Sequence, residues 1–138
     1  ILIQDYMENL EKFLNTDTND NELVRTALIH YQFEAIHPFS DGNGRIGRII
    51  IPLYLFKKKI LYQPILYLSG FFEKNRRNYI DTLHKVDTSS RYEDWIKFFL
   101  IAVAKQAIET QKLIDQIESL RAAVEEKSAK IMSPYAHG

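Results

Sequence analysis

The segment from His37 to Arg48 separates two apolar, helix-like parts of the chain and restricts how they connect. It reads His-Pro-Phe-Ser-Asp-Gly-Asn-Gly-Arg-Ile-Gly-Arg, so one short stretch contains a proline and three glycines. Pro38 disfavours helical geometry at His37, and the glycines from Gly42 onward permit positive φ angles. We therefore predict that one helix ends at His37, that the chain turns sharply, and that another helix begins near Gly44.

Apolar side chains recur at helical spacing along most of the chain, which predicts an all-α fold. The predicted helices cover residues 2–15, 22–36, 44–59, 71–86 and 91–120, and a charged segment at 118–130 continues the last helix or starts another. We expect the third helix to be the buried centre of the domain, because most of its faces are apolar. The segment 60–68 is predicted to be a short strand or an extended connector.

Composition narrows the possible classes of protein. The chain has 138 residues, which suits one domain, and its 18 basic and 18 acidic residues give no net charge that would favour a polyanionic partner. The absence of cysteine excludes disulfides, thiolate catalysis and cysteine-ligated zinc, and it leads us to expect a cytoplasmic protein. Its apolar runs are too short to span a bilayer, so no membrane partner is expected. A start without Met and the polar end at 133–138 predict a fragment.

The glycines of the motif resemble other phosphate-binding loops only superficially. Gly42 to Gly47 form a literal G-x-G-x-x-G, but the dinucleotide fingerprint requires a preceding strand and an acidic residue about twenty positions later. Here a helix precedes the glycines, and no acidic residue occurs between Asp41 and Glu73. The Walker and protein-kinase motifs are absent as well.

The motif nevertheless has the parts of an anion site. Gly42 and the residues to Gly44 leave backbone N–H groups at a helix N-terminus, where the dipole favours an anion. Arg45 and Arg48 lie three residues apart and are suited to binding phosphate oxygens in a bidentate manner. Asp41, beside two arginines, is best explained as the ligand of a hard cation that bridges phosphates.

His37 is the candidate general base, because histidine is the side chain that most readily exchanges a proton near neutral pH. We expect Phe39 to pack inward and fix the loop so that the imidazole points outward. Asn43 offers a side-chain amide to a phosphate oxygen. One alternative remains open: His30 and Glu34 share a helical face near His37, and with Asp41 they would form the metal site of a hydrolase. A core position for His30 is the favoured interpretation.

The motif resembles, without departure, the signature of the Fic (filamentation induced by cAMP) family, His-Pro-Phe-x-Asp/Glu-Gly-Asn-Gly-Arg-x-x-Arg. Further segments familiar from that family are 27–33, 66–69, 75–83 and 95–99. The resemblance implies a helical Fic catalytic core over residues 1–120. It also implies transfer of AMP from ATP to a hydroxyl of a target protein, with Mg²⁺.

By position, the resemblance implies a role for each motif residue. His37 would deprotonate a Ser, Thr or Tyr hydroxyl, and Asp41 would hold the Mg²⁺ between the α- and β-phosphates. Gly42, Asn43 and Gly44 would form the anion cradle, with Asn43 on the α-phosphate.

The resemblance also implies which residues contact the outer phosphates and the nucleoside of ATP. Arg45 and Arg48 would bind the outer phosphates, and Gly47 is included in the phosphate site as the third glycine. Tyr79 falls where the family places an aromatic residue that contacts adenine. Asp87 falls where some members have an asparagine that touches the base or ribose.

Two family elements are not found in this sequence. A β-hairpin flap that docks the target peptide is expected upstream of residue 1, and an inhibitory helix is expected upstream or on a partner. Residues 121–138 are predicted to be a C-terminal helix and linker that lead to a winged-helix domain. We expect binding of nucleic acid only through that domain. Alternative functions are removal of AMP, transfer of another phosphate-linked group, and a nucleotide-binding regulatory module.

Overall fold

The computed structural model describes residues 2–132, and within them the chain is helical with no strand. The helices are α1 (Ile3–Asn15), α2 (Glu22–Ile36), α3 (Asn43–Lys57), α4 (Ser69–Lys74), α5 (Arg76–Ser89) and α6 (Tyr92–Met132). The predicted all-α fold is therefore confirmed. No helix in this part of the chain has the length and apolar character needed to cross a membrane. The predicted linker and cut edge at 133–138 lie outside the described residues.

The first three helices begin and end close to the predicted positions, and local chemistry explains why. Asn21 caps α2, because its side-chain oxygen accepts hydrogen bonds from the N–H groups of Leu23 and Val24 at 2.9 and 3.2 Å. At the other end of α2 the chain leaves the helix at His37, the residue before Pro38, as predicted.

In the second half of the chain, the structure corrects one predicted helix and resolves two alternatives that the sequence left open. The single helix predicted at 71–86 is wrong, because the chain breaks at Asn75 (φ −115°, ψ 29°) and forms the separate helices α4 and α5. The Phe71 carbonyl accepts hydrogen bonds from both the backbone N–H and the side-chain amide of Asn75, at 3.0 and 2.8 Å, so Asn75 ends α4. The strand alternative for 60–68 is also wrong, since that segment forms turns. The charged segment at 118–130 continues α6.

Trp95 is at the centre of the core in the compact unit that ends at Gln106. Its indole N–H donates a hydrogen bond to the Ala27 carbonyl at 2.8 Å, which ties α6 to α2. The side chains buried with Trp95 come from α2, α3, α4, α5, α6 and the 60–68 connector: Ala27, Ile51, Leu55, Leu66, Leu68, Phe72, Val86, Phe99, Ala102 and Val103. Helix α3 is central, as expected, because Ile51 and Leu55 belong to this core and Tyr54 belongs to a second buried cluster. Its burial is incomplete, since Ile49, Leu53 and Phe56 remain exposed.

A buried arginine holds the loop between α1 and α2 against α3. The Arg25 guanidinium donates hydrogen bonds to the Phe13 and Thr16 carbonyls at 2.6 and 3.0 Å and to the Tyr54 hydroxyl at 3.1 Å. It also lies 4.2 Å from the centre of the Phe13 ring. Every one of these partners would lose a donor if the guanidinium were removed.

The second compact unit begins at Ala107 and consists of the rest of α6. Its apolar side chains are exposed: Ile108, Leu113, Ile117, Leu120, Val124 and Ile131. Local pairs support the helix, including the Arg121–Glu125 and Lys130–Glu126 ion pairs at 2.8 and 2.6 Å.

Replacing Arg25 with Ala should lower the free energy of unfolding by roughly 3 kcal/mol, because the buried Tyr54 hydroxyl and the Phe13 and Thr16 carbonyls lose a charged donor. Urea unfolding followed by circular dichroism measures this change. Arg77→Ala is the matched control, because the Arg77 side chain is 94% exposed and its removal should cost less than about 0.5 kcal/mol. Equal stability of the two variants would contradict the role assigned to Arg25.

Candidate functional site

A cavity of about 470 Å³ lies beside the motif, and we call it the motif cavity. Five residues selected from the sequence line it: His37, Gly44, Arg48, Tyr79 and Asp87. The C-terminal part of α2, the start of α3 and one face of α5 supply most of the wall, and α4 supplies the rest. The structure thus brings together side chains that lie as many as 50 positions apart in the sequence.

The turn of the motif depends on Gly42 and on a short polar bond. Gly42 has φ 83° and ψ 4°, a left-handed conformation that is strained for residues with a Cβ. Its N–H donates a hydrogen bond to the Asp41 carboxylate at 2.7 Å. Of the motif glycines, Gly42 is the one with a positive φ, and the predicted turn is confirmed at that residue.

The side chain of Asn43 closes the loop and does not line the motif cavity. Its oxygen accepts a hydrogen bond from the Phe39 N–H at 2.9 Å, and its nitrogen donates to the Phe39 carbonyl at 2.5 Å. The side-chain amide is thus committed, and the phosphate contact expected from it is not supported. Phe39 is 48% exposed, so the expected inward packing is wrong. Phe39 supports the motif through its backbone.

Gly44 and Arg48 form the cationic and polar wall of the cavity. An added Cβ at Gly44 would lie 3.1 Å from a terminal nitrogen of Arg48, so the glycine lets the guanidinium approach the backbone closely. Among residues 2–132, no carboxylate forms an ion pair with Arg48. The first N–H groups of α3 and a guanidinium without an ion-pair partner therefore lie next to one another.

Arg45 and Asp41 lie outside the lining of the cavity. They pair with each other at 3.3 Å, and their side chains are 72% and 89% exposed. The prediction that both motif arginines bind phosphate is not supported in this arrangement, because of these two residues only Arg48 lines the cavity.

His37 stands at the rim of the cavity in an unusual backbone conformation. Its φ of 49° and ψ of 58° lie in the left-handed region, which costs about 1–2 kcal/mol for a residue with a Cβ. The backbone N–H of His37 bonds to the Phe33 carbonyl at 3.1 Å and ends α2. Its imidazole makes no hydrogen bond to any described residue, so both ring nitrogens face outward for a ligand or solvent.

Gly47 has a packing role in this structure, and its inclusion in the phosphate site stays a prediction. The residue is buried within α3 and does not line the motif cavity. An added Cβ would lie 2.2 Å from a carboxylate oxygen of Glu34 and 3.2 Å from the Phe33 ring. Gly47 therefore makes room for Glu34.

His30 is a buried structural residue, and the alternative metal site is wrong. Its Nδ1 lies 2.9 Å from the Gly47 carbonyl, which only accepts, so Nδ1 carries the proton and Nε2 accepts from the Tyr79 hydroxyl at 2.9 Å. Burial lowers the pKa of His30 to about 4, which keeps the ring neutral. The described residues contain no cluster of three His, Cys, Asp or Glu side chains suited to a metal ion.

Tyr79 and Asp87 form the part of the wall that α5 supplies. The Tyr79 ring stacks on Phe72 with 4.5 Å between the ring centres, and its hydroxyl is hydrogen-bonded to His30. Asp87 accepts a hydrogen bond from the Tyr31 hydroxyl at 2.7 Å. Burial, followed by the bond to Asp87, raises the pKa of Tyr31, so this hydroxyl remains a donor.

Sequence reasoning missed several residues of the cavity. Tyr31 was not selected, Glu34 was considered only for a metal site, and Arg76 was given no role of its own. The signal for Arg76 was its spacing, since Arg76 lies three residues before Tyr79 and seven before Leu83 on one face of a helix. Tyr31 had no comparable signal, because its partner Asp87 is 56 positions away.

Comparison with known proteins identifies relatives of this chain. Residues 2–55 match the Fic/DOC family. A probable protein adenylyltransferase of Aquifex aeolicus is 27% identical over 86 residues, which are 62% of this chain and 24% of that protein. The protein adenylyltransferase Fic of Drosophila melanogaster is 34% identical over 62 residues, which are 44% of this chain and 12% of the relative.

A solved structure extends the likeness to the fold. The crystal structure of a Fic family protein from Desulfovibrio desulfuricans G20 superposes with a TM-score of 0.72 and 31% identity, covering 80% of this chain and 34% of that one. The chain spans a quarter or less of the length of these curated relatives. The resemblance drawn from the motif is confirmed.

The stability of the fold should depend on pH through His30. Because the pKa of His30 is about 4 when folded and 6.5 in its ordinary state, the unfolded chain alone binds this proton between those values. The free energy of unfolding should therefore fall by about 3 kcal/mol as the pH drops from about 6.5 to about 4. Urea unfolding at a series of pH values measures the slope.

Two variants isolate the contribution of His30. His30→Gln removes the titrating ring and should lose this part of the slope, whereas His84→Gln replaces an exposed histidine and should keep it. An unchanged slope in His30→Gln would contradict the assignment.

Proposed function

Residues 2–55 of this chain belong to the Fic/DOC family, and from that premise we propose that the protein transfers AMP from ATP to a hydroxyl of a target protein. One observation carries the proposal: His37, Gly44 and Arg48 border the same cavity. A proton acceptor thus faces a phosphate site, which is the arrangement that transfer of a phosphate-linked group requires.

The phosphates of ATP would bind at the start of α3. The backbone N–H groups of Asn43 and Gly44 provide donors at the positive end of the helix dipole, and Arg48 provides a cation without an ion-pair partner among the described residues. Arg45 is exposed on the same turn and would reach the outer phosphates after leaving Asp41. This last movement is part of the proposal.

Asp41 is the residue of the motif that fits Mg²⁺. One of its oxygens accepts from Gly42, and the other is paired only with Arg45 at 3.3 Å, so an exposed hard oxygen is available next to the phosphate site. One carboxylate together with phosphate oxygens and water is a usual ligand set for Mg²⁺. When bound, Mg²⁺ would neutralise charge on the phosphates and on the leaving pyrophosphate.

The chemical step needs one proton acceptor. The target hydroxyl oxygen would form a bond to the α-phosphorus while the bond from that phosphorus to the oxygen bridging the α- and β-phosphates breaks. Pyrophosphate leaves, AMP remains on the target, and His37 takes the hydroxyl proton. The exposed imidazole at the cavity rim has no hydrogen-bond partner within residues 2–132, which leaves a ring nitrogen for this role.

The nucleoside would lie along α5. Tyr79, Leu83 and Asp87 follow one another at spacings of four residues, so they line a stretch of about 12 Å on one helix face. Leu83 presents an apolar surface to a planar base, and Asp87 presents a carboxylate that accepts hydrogen bonds from ribose hydroxyls or an exocyclic amine.

Elements outside this chain complete the proposal. A target-docking flap and an inhibitory helix, from an upstream segment or a partner, remain predictions, as does a winged-helix domain downstream. We also propose a cytoplasmic location, because a chain without cysteine suits a reducing compartment.

His37→Ala should abolish AMP transfer while ATP still binds, because the variant removes the base and leaves the phosphate donors in place. Intact-protein mass spectrometry of the chain and of added candidate targets, after incubation with ATP and Mg²⁺, measures the gain of one adenylyl group. His84→Ala is the matched control and should retain transfer. Transfer by a folded His37→Ala variant would exclude His37 as the base.

Arg48→Ala should weaken ATP binding by roughly tenfold to a hundredfold, since a charge-assisted contact to phosphate is worth about 1.5–3 kcal/mol. Isothermal titration calorimetry measures the affinity. Arg77→Ala removes an exposed arginine that does not line the cavity and should bind ATP as the unaltered chain does. Equal affinities for the two variants would place the phosphates elsewhere.

A further inference from the structure

Glu34 lines the motif cavity, and one of its carboxylate oxygens is buried without a hydrogen-bond partner. Its Oε1 is the only buried side-chain oxygen or nitrogen of the described residues for which no partner is found. The side chain lines the cavity together with His37 and Arg48. An unpartnered buried carboxylate is costly when ionised, so its presence calls for an explanation.

The backbone is shaped to admit this carboxylate. Gly47 lies in the interior of α3, where glycine destabilises a helix by about 1 kcal/mol relative to alanine. An added Cβ there would lie 2.2 Å from Glu34 Oε1. The carboxylate thus occupies the space that any side chain at position 47 would need.

Glu34 does not position Arg48 by a direct bond. Within residues 2–132, neither a hydrogen bond nor an ion pair joins the two side chains. The guanidinium lies over Gly44 instead. The interaction between Glu34 and Arg48 is electrostatic and acts across the cavity.

Charged and titratable groups surround Glu34 on each side. Arg48 faces it from α3, His37 from the end of α2, and Tyr79 from α5. The other such groups on the cavity wall are Tyr31 on α2, Glu73 on α4, and Arg76 and Asp87 on α5. Glu73 and Arg76 pair with each other at 3.3 Å, and Asp87 is bonded to Tyr31, so their charges are partly compensated.

We propose that Glu34 is charge-coupled to Arg48 and takes up a proton when the phosphate chain of a nucleotide binds, so that Glu34 determines how strongly the site holds a polyphosphate. Phosphate charge on the Arg48 guanidinium cancels the positive potential that stabilises the carboxylate anion. The anion would also repel the incoming phosphates, and protonation removes that repulsion.

The pKa of Glu34 agrees with this coupling. Burial raises it, and the charges of Arg48 and, to a smaller extent, His37 lower it. When phosphate neutralises Arg48, the raising effect remains and the main opposing effect is lost. By linkage, nucleotide affinity falls as rising pH ionises Glu34 in the free protein.

The inference rests on the proposed nucleotide site, and calorimetry of ATP binding tests it. Titrations in buffers of different ionisation enthalpy, at pH values from about 5 to about 8, give the number of protons taken up per ATP. Glu34→Gln imitates the protonated acid. It should take up fewer protons than the unaltered chain and bind ATP roughly tenfold more tightly at the upper end of this range.

Two controls separate Glu34 from its neighbours. Glu73→Gln removes a carboxylate of the same cavity that is 75% exposed and paired with Arg76, and it should keep the proton uptake. His37→Gln removes the imidazole that lines the same cavity and should also keep it. Loss of uptake in His37→Gln together with its retention in Glu34→Gln would overturn the inference.

A second pair of variants tests the position of the carboxylate without replacing it. Gly47→Ala should displace Glu34 from the backbone of α3 and reduce the proton uptake. Gly70→Ala, where an added Cβ meets nothing within 4 Å, is the control and should leave it unchanged. Urea unfolding confirms that each variant is folded before it is titrated.

The outcomes distinguish this inference from the proposed function. Proton uptake that depends on Glu34, in a chain that binds ATP but transfers no AMP, supports the inference and contradicts the function. AMP transfer with the same proton uptake in the unaltered chain and in Glu34→Gln at every pH overturns the inference alone. Absence of ATP binding to the unaltered chain overturns both.

Discussion

The hydrogen bonds of His30 are the interaction on which the arrangement of the motif cavity depends. One buried imidazole joins the Gly47 carbonyl on α3 to the Tyr79 hydroxyl on α5, and its ring stacks on Trp95 of α6 at 5.7 Å. A neutral ring with one donor and one acceptor satisfies both partners, and the low pKa of His30 keeps it neutral. The walls of the cavity that α3 and α5 supply are therefore held in a fixed relation by a residue that does not line the cavity itself.

The three glycines of the motif serve three different physical needs. Gly42 allows a left-handed turn, Gly44 allows Arg48 to approach the backbone, and Gly47 leaves space for the Glu34 carboxylate. The first two shape the proposed anion site, and the third leaves room for a carboxylate beside it. The proposed phosphate site would thus contain its own opposing charge, which would give it a means of adjusting affinity.

The elements with strong local signals were predictable from the sequence. The cap at Asn21, the end of α2 before Pro38 and the turn at Gly42 follow from side-chain and backbone chemistry within a few residues. The break at Asn75 was not predictable, because the apolar spacing continues through it. Within the site, the residue types of His37 and Arg48 were enough to select them, and both line the cavity. The hydrogen bonds of the Asn43 amide to the Phe39 backbone could not be predicted, because they depend on loop geometry that hydrophobic periodicity does not describe.

The central claim is that the motif cavity binds the donor nucleotide with its phosphates at the start of α3 and its base along α5. A crystal structure of this chain with a non-hydrolysable ATP analogue and Mg²⁺ tests it most directly. We predict phosphate density against the start of α3 and Arg48, with the base extending towards Leu83 and Asp87. Nucleotide bound in the reverse direction, or at a site away from the His37 imidazole, would contradict the account.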